Sequence, residues 1–127
     1  MPRSLTPPVR ALPFAAALLL SVIVLFTPAS GVPSAPPGTD KVIHIALFAA
    51  LALTGRAAGI RTRVLLPALA GYAIASELLQ GRLPIGRSAD AWDAAADLVG
   101  VAAGFAAHRV LSDAVRRSFR RGRRPSG

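Results

Sequence analysis

Four apolar blocks divide this chain, and each is close to the length that a helix needs to cross a lipid bilayer. They cover residues 11–27, 42–59, 64–80 and 89–111. A helix rises about 1.5 Å per residue and the hydrocarbon layer is about 30 Å thick, so about 17–25 apolar residues suffice for one crossing. Strands of a membrane barrel would be shorter and would alternate in polarity, and these blocks do neither. The pattern predicts an all-α integral membrane protein, a four-helix bundle.

The composition agrees with a membrane protein. Of the 127 residues, 53% are hydrophobic and 17% are charged, whereas a typical soluble domain is about 25% charged. The length suits one domain. Because the chain has no cysteine, disulfides, thiolate metal sites and cysteine nucleophiles are excluded.

The basic residues are unevenly distributed between the links, and this predicts an orientation. If the N-terminus is cytoplasmic, that side holds twelve of the fifteen basic residues, and the outer side keeps Lys41, Arg82 and Arg87. This asymmetry follows the positive-inside rule. We therefore expect both termini in the cytoplasm, with a short N-terminus at 1–10, a membrane domain at 11–111 and a frayed polybasic tail at 112–127. The expected location is the bacterial cytoplasmic membrane, as a multi-pass protein.

Residues 1–31 allow one alternative. Their basic start, apolar centre and small residues Ala29-Ser30-Gly31 also suit a cleaved signal peptide. The uncharged block at 11–27 has 17 residues, however, whereas the apolar region of a signal peptide has about 7–15. We therefore favour a retained first helix.

Ten polar side chains in the last three blocks and their flanks are expected to meet towards the outer side of the membrane. They are Asp40, Lys41, His44, Ser76, Glu77, Gln80, Arg87, Asp90, Asp93 and Asp97. Ionisable groups within a membrane usually face the interior of the bundle and pair with one another. We interpret this set as a candidate polar pocket that opens outward.

The fourth block carries acids and glycines on one face. At about 100° per residue, five positions fall within an arc of about 80°, namely Asp90, Asp93, Asp97, Gly100 and Gly104. The two glycines form a GxxxG element, which allows another helix to approach closely. The acidic face is therefore expected to be a packed face.

Capping residues predict where some helices begin. Thr39 or Asp40 is the expected N-cap of the second helix, and Ser88 that of the fourth. Pro67 is expected in the first turn of the third helix, where its missing N–H costs little.

Three ordered motifs resemble the VanZ-like membrane protein family. They are Asp40-Lys41-Val42-Ile43-His44, Ser76-Glu77-Leu78-Leu79-Gln80, and Gly86-Arg87-Ser88 followed by Asp90, Asp93, Asp97 and Gly100. The resemblance covers about residues 40–104 and the four-span layout, whereas Asp90 and the basic tail depart from it. The resemblance implies a membrane protein with four spans. It also implies that eight residues occupy the motif positions of the family: Asp40, Lys41, His44, Glu77, Gln80, Arg87, Asp93 and Asp97. The family's namesake is associated with low-level teicoplanin resistance, so the resemblance implies a cell-envelope protein without by itself transferring resistance to this chain.

Three interpretations of the candidate pocket remain open. The first is a structural network in which Lys41 and Arg87 neutralise the carboxylates. The second is a pocket for a cell-envelope precursor or lipid headgroup, with an influence on glycopeptide susceptibility. The third is a small intramembrane enzyme that acts on a lipid-linked envelope substrate, in which His44 and Glu77 or Asp93 form an acid–base pair.

Other ligands and partners are not expected. His44, Glu77, Asp93 and Asp97 have the residue types of metal ligands, but no short ligand motif such as HExxH is present. We therefore predict no metal and no cofactor. The arginine-rich tail suits contact with anionic membrane lipids, and we expect no nucleic-acid partner because no folded binding module accompanies it. The sequence does not determine the oligomeric state.

Overall fold

The computed structural model describes residues 7–123, and their regular structure is helical. Four α-helices follow one another along the chain: α1 (Pro7–Phe26), α2 (Thr39–Ala57), α3 (Thr62–Arg82) and α4 (Ala91–Gly122). A short 3-10 turn, Ala29–Gly31, lies in the link after α1. The predicted all-α class and the four helices are confirmed.

Three of these helices are long and apolar enough to cross a membrane: Pro8–Phe26, Thr62–Arg82 and Ala91–Gly122. The other one, α2, has 19 residues but carries Asp40 in its first turn and Arg56 in its last. Large apolar side chains cover the outward faces of the helices, as Leu19 and Val42 illustrate with exposures of 63% and 65%. Apolar surface of this extent is typical of contact with lipid.

The central helix of the bundle is α2, which packs against all three others and most extensively against α4. The glycines of the GxxxG element lie at this contact. A methyl group on Gly100 would overlap the backbone oxygen of Ile45, and one on Gly104 would overlap that of Ala49. The two helices therefore meet backbone to backbone, which larger residues at these positions would prevent.

Each helix contributes to one apolar core between them. Leu25 of α1, Phe48 of α2, Leu69 of α3 and Val101 of α4 are all at most 3% exposed. The ring of Phe48 lies 5.5 Å from that of Tyr72, in a tilted arrangement. Since α1 supplies part of this core, it is an integral member of the bundle.

The link between α2 and α3 is closed by a Schellman motif. The N–H of Ile60 donates to the oxygen of Gly55 at 3.1 Å, and that of Gly59 donates to Arg56 at 3.0 Å. Gly59 has a φ of +91°, a conformation that glycine adopts without steric cost. This short turn makes α2 and α3 antiparallel neighbours.

The start of α4 differs from the sequence-based expectation. The N-cap is Asp90, whose side chain accepts a hydrogen bond from the backbone N–H of Trp92 at 2.9 Å. The prediction of Ser88 as the cap is wrong, because the extended backbone that precedes the helix continues to Asp90. Asp90 consequently lies just outside the helical face that carries Asp93 and Asp97.

Two further boundaries also differ. The N-cap of α2 is Gly38, with a φ of +86° and no side-chain cap, so the prediction of Thr39 or Asp40 is wrong. The hydroxyl of Thr39 instead donates back to Pro36 at 2.7 Å. Pro67 falls in the second turn of α3 rather than the first, because this helix begins at Thr62.

The last helix continues well beyond residue 111, where the fourth apolar block ends. Its 32 residues correspond to about 48 Å, about 18 Å more than the hydrocarbon layer. The expectation of a frayed tail is wrong as far as Gly122, because this stretch has no earlier glycine or proline and arginine is a good helix former. Residues 124–127 lie outside the described part of the chain.

Arginines gather at the end of the bundle where α1 begins and α2 ends. A terminal amino group of Arg10 donates to the backbone oxygen of Ala57 at 3.3 Å. At the same end, Arg56, Arg109 and Arg116 line one cleft between the helices. Asp113 lines the same cleft. The other five of the six acidic residues lie at the opposite end, where α2 and α4 begin and α3 ends.

Candidate functional site

The predicted polar residues meet where α2 and α4 begin and α3 ends, and they form two layers. The outer layer is a group of exposed or half-buried ion pairs around Lys41. The inner layer consists of buried side chains from three helices, namely His44, Glu77 and Asp97. The two layers differ in how completely their polar atoms are satisfied.

In the outer layer, the ammonium group of Lys41 serves three carboxylates. It donates to Asp40 at 3.1 Å, to Asp90 at 2.8 Å and also to Asp93. A lysine has three N–H donors, so its hydrogen-bonding capacity is filled. The side chain of Asp40 is 59% exposed and that of Asp93 only 14%, so Asp93 depends most on this lysine.

Asp90 connects the ends of three helices. Its side chain caps α4 and accepts from Lys41 of α2. Its backbone N–H donates to the carboxylate of Glu77 in α3 at 3.0 Å. The hydrogen bond from Lys41, followed by that from the Trp92 N–H, holds the pKa of Asp90 below its ordinary value.

The inner layer is centred on a hydrogen bond between His44 and Asp97. Nδ1 of the imidazole lies 2.7 Å from Oδ1 of Asp97, and its Nε2 lies 3.8 Å from an oxygen of Asp93. His44 is 3% exposed, Asp97 is fully buried and Glu77 is 5% exposed. An imidazole between carboxylates can exchange a proton or act as a metal ligand.

Two oxygens of this inner layer have no hydrogen-bond partner among residues 7–123. They are Oε1 of Glu77 and Oδ2 of Asp97, and both are buried. Most buried polar atoms in folded proteins are paired, because an unpaired one loses its hydration without compensation. Two such atoms in one cluster call for a specific explanation.

Two of the predicted pocket residues bind the end of α1. Gln80 donates from its side-chain amide to the backbone oxygen of Leu25 at 2.7 Å, and Arg87 donates from Nε to that of Thr27 at 2.9 Å. The last carbonyl groups of a helix lack partners inside the helix. The sequence interpretation missed these acceptors, although Pro28 signals the helix end that leaves them free.

Ser76 does not reach the other members of the predicted set through any hydrogen bond within the described residues. It is buried and donates to the backbone oxygen of Ala73, in its own helix, at 3.0 Å. A second polar contact that the sequence interpretation missed lies deeper in the core. There the hydroxyl groups of Ser21 and Tyr72 are 2.9 Å apart.

Two adjoining cavities open beside the polar cluster, and both are lined by Asp40 and Arg87. The larger has a volume of about 280 Å³ and reaches His44. Its walls are mainly apolar residues from the end of α1, the following link and α2: Val24, Leu25, Val32, Pro33 and Ile43. The smaller, of about 250 Å³, is polar, and its other lining residues are Gln80, Gly86, Ser88, Asp90 and Asp93.

The structure shows that the predicted pocket residues have different roles. Lys41 and its carboxylates tie helix ends together, and Gln80 and Arg87 hold α1. The apolar cavity is lined by His44 but not by Glu77 or Asp97, so a ligand in that cavity would meet the imidazole before the buried carboxylates. No family model, curated protein or solved structure matches this chain.

Proposed function

We propose that this chain is a multi-pass protein of the bacterial cytoplasmic membrane, of the VanZ-like kind, whose outer end binds an amphiphilic component of the cell envelope. The observation that supports it is the pair of adjoining cavities that share Asp40 and Arg87. One cavity is mainly apolar and the other polar, so a molecule with an acyl or prenyl chain and a polar head matches both. A lipid headgroup and a lipid-linked envelope precursor have this chemistry in common.

Among the described residues, the polar cavity is lined by one cation, Arg87, and by the carboxylates of Asp40, Asp90 and Asp93, so it suits a head that carries a phosphate together with hydroxyl or ammonium groups. Arg87 is half-buried and donates its Nε–H to the backbone oxygen of Thr27. Its terminal amino groups are therefore available to donate to a phosphate oxygen, an acceptor that the guanidinium group prefers. Asp40, which is 59% exposed at its side chain, suits a hydroxyl or ammonium group on the same head. The apolar cavity lies beside the end of α1 and the exposed link that follows it.

The proposed topology has four spans, with both termini in the cytoplasm. In support, the arginine-rich cleft and the acidic cluster lie at opposite ends of the bundle. The charged residues of α2 stand near its two ends, where long basic side chains reach the headgroup level. Reporter fusions after residues 34, 60, 84 and 125 should read outside, inside, outside and inside. An outside C-terminus would contradict this topology.

The binding proposal is tested with Arg87→Gln against a matched control, Arg82→Gln. Arg82 is the last residue of α3, five positions before Arg87, and it is exposed but lines neither cavity. Full-length protein in mild detergent is titrated with phosphatidylglycerol and, separately, with a polyprenyl phosphate, and binding is followed by native mass spectrometry. Loss of one charge-assisted contact should weaken binding by about tenfold in Arg87→Gln only. Equal binding by both variants would refute the proposal.

An effect on glycopeptide susceptibility is a separate consequence. Isosteric variants of His44, Glu77 and Asp93 are scored for antibiotic sensitivity and, independently, for abundance in the membrane. Changed sensitivity at normal abundance supports a binding role. Loss of abundance alone favours a purely structural network.

A second candidate function is acid–base catalysis on a lipid-linked substrate. It is favoured by one observation, that His44 lines the apolar cavity while Asp97 holds its other face at 2.7 Å. A carboxylate behind an imidazole orients it for proton transfer. His44→Asn that binds the lipid probe normally but loses turnover of that probe would favour the enzyme, and normal behaviour in both assays would exclude it.

A further inference from the structure

The buried side chains of His44, Glu77 and Asp97 converge from three helices on one point. Each offers one ligand atom, and the three atoms lie within 4.8 Å of one another. Around a single Zn²⁺ ion with bonds of about 2.0–2.2 Å, ligand atoms are about 3–4 Å apart, so small side-chain rotations close the set. We propose that these three residues bind one divalent first-row metal ion, with Zn²⁺ or Mn²⁺ as the matching ions.

The two unpartnered oxygens of the site point independently to a ligand. Oε1 of Glu77 and Oδ2 of Asp97 are buried and receive no hydrogen bond from residues 7–123, while the other oxygen of each carboxylate is already paired. A metal ion would satisfy both at once. The internal hydrogen bonds of the cluster satisfy neither of these two oxygens.

The charges of the inner layer also favour a dication. Glu77 and Asp97 are the acids of this layer, and the nearest ammonium, that of Lys41, is engaged by Asp40, Asp90 and Asp93. With a neutral imidazole, two carboxylates and a divalent ion sum to zero. Neutral sites are much less costly than charged ones at a depth where water is excluded.

The donor set restricts the kind of metal. One imidazole nitrogen with two carboxylate oxygens suits Zn²⁺, Mn²⁺ and similar ions, whereas ions that prefer thiolates lack a ligand here because the chain has no cysteine. When the ion binds, Nδ1 of His44 and the carboxylate of Asp97 would exchange their 2.7 Å hydrogen bond for bonds to the same ion.

The ion can reach the site from the apolar cavity of about 280 Å³, which ends at His44. The prediction of no metal relied on the absence of a short motif. His44 and Asp97 are 53 positions apart in the sequence, so only the bundle brings the ligands together. The metal site does not depend on the envelope ligand proposed for the outer cavities.

The test uses full-length protein purified in detergent, stripped with EDTA and then incubated with Zn²⁺ or Mn²⁺ alone. After desalting, mass spectrometry should find about one ion per chain, and the thermal midpoint should rise because the ion binds only the folded state. Glu77→Gln and Asp97→Asn should weaken uptake by at least about 10–100-fold. Asp113→Asn, an exposed site on the same helix as Asp97, should match the wild type.

Each outcome decides the proposal. Uptake by folded wild-type protein and its loss in both ligand variants supports the site, with folding checked by circular dichroism and size-exclusion chromatography. If a ligand variant fails to fold, X-ray absorption on the wild type decides, since it should show only nitrogen and oxygen ligands at about 2.0–2.2 Å, including one imidazole. Absence of uptake by the wild type, or equal uptake in all variants, would overturn the proposal and leave protonation as the way the free oxygens are satisfied.

Discussion

Replacing Gly104 with alanine tests whether backbone contact between α2 and α4 holds the polar end of the bundle together. The added methyl group would lie 2.6 Å from Cβ of Ala52 and would also overlap the backbone oxygen of Ala49. Ordinary contact begins at 3.4 Å, so relieving the Ala52 contact alone requires the helices to separate by at least about 0.8 Å. A backbone oxygen cannot rotate away as a flexible side chain can.

The cost of this separation follows from lost dispersion contacts. A gap of 0.5–1 Å removes about a quarter to a half of the attraction between facing atoms, which over the 40–60 contacts of a leucine-sized patch amounts to about 2–4 kcal/mol. Alanine is intrinsically better than glycine within a helix by about 0.8–1 kcal/mol. We therefore expect Gly104→Ala to lower the free energy of unfolding by about 1–3 kcal/mol.

Gly71→Ala provides the control for this experiment. Gly71 lies within α3, and no described atom outside its own helical backbone would lie within 4 Å of an added methyl group. The same substitution should therefore raise stability by about 0.5–1 kcal/mol through helix propensity alone. Both variants are compared with the wild type by thermal unfolding in detergent, followed by circular dichroism and by loss of the monodisperse peak in size-exclusion chromatography.

The result that would refute this reasoning is equal or greater stability of Gly104→Ala relative to the wild type. A further consequence connects packing to the site, because His44 belongs to α2 and Asp97 to α4. Separating these helices should lengthen their hydrogen bond, which is now 2.7 Å. Metal uptake should therefore weaken in Gly104→Ala and stay unchanged in Gly71→Ala.

Three further predictions concern the polar end. Lys41→Met leaves Asp93 without its ammonium partner and should lower the free energy of unfolding by about 1–3 kcal/mol. Adding Asp93→Asn should restore part of this loss. Chemical unfolding of the single and double variants measures both effects. Gln80→Leu removes the donor to the backbone oxygen of Leu25 and should lower the free energy of unfolding by about 1–3 kcal/mol. Proteases should then cleave the link after α1 more readily, and unchanged proteolysis would contradict the capping role. The pKa of Asp90 is lowered in the folded state, so its contribution to stability is complete above its unfolded pKa of about 3.9 and is lost as the pH falls through the folded-state pKa. Asp90→Asn should therefore flatten the pH dependence of the free energy of unfolding on the acidic side of about pH 4. An identical pH profile in the variant and the wild type would exclude this contribution.

Much of the architecture could be predicted from local features of the sequence. Long apolar blocks with short links predict helices that pack as neighbours, since their lengths and breaks depend only on nearby residues. Pro28 marks the end of α1 and Gly59 the end of α2 in this way. Local capping signals were less successful, because Asp90 rather than Ser88 caps α4.

The choice between Ser88 and Asp90 shows why local rules were insufficient. Both residues are good N-caps by type. Asp90 is selected by partners from other helices, since its side chain also accepts from Lys41 and its N–H donates to Glu77. Because Lys41, Glu77 and Asp90 are far apart in the sequence, the local sequence around residue 90 does not predict these contacts.

The sequence by itself determined that the chain forms apolar helices, that its ionisable residues lie near their ends and that its basic residues are asymmetric, because these properties depend on composition and on short-range periodicity. The tertiary structure alone decided which of the ten polar residues join the ion pairs around Lys41, which join the buried cluster and which bind the end of α1. Close approach of α2 and α4 at Gly100 and Gly104 sets the rotation and depth of each helix. This places Lys41 among exposed and half-buried carboxylates but His44 beside the buried Asp97. Contacts between residues about 50 positions apart depend on that packing, and no local pattern encodes them.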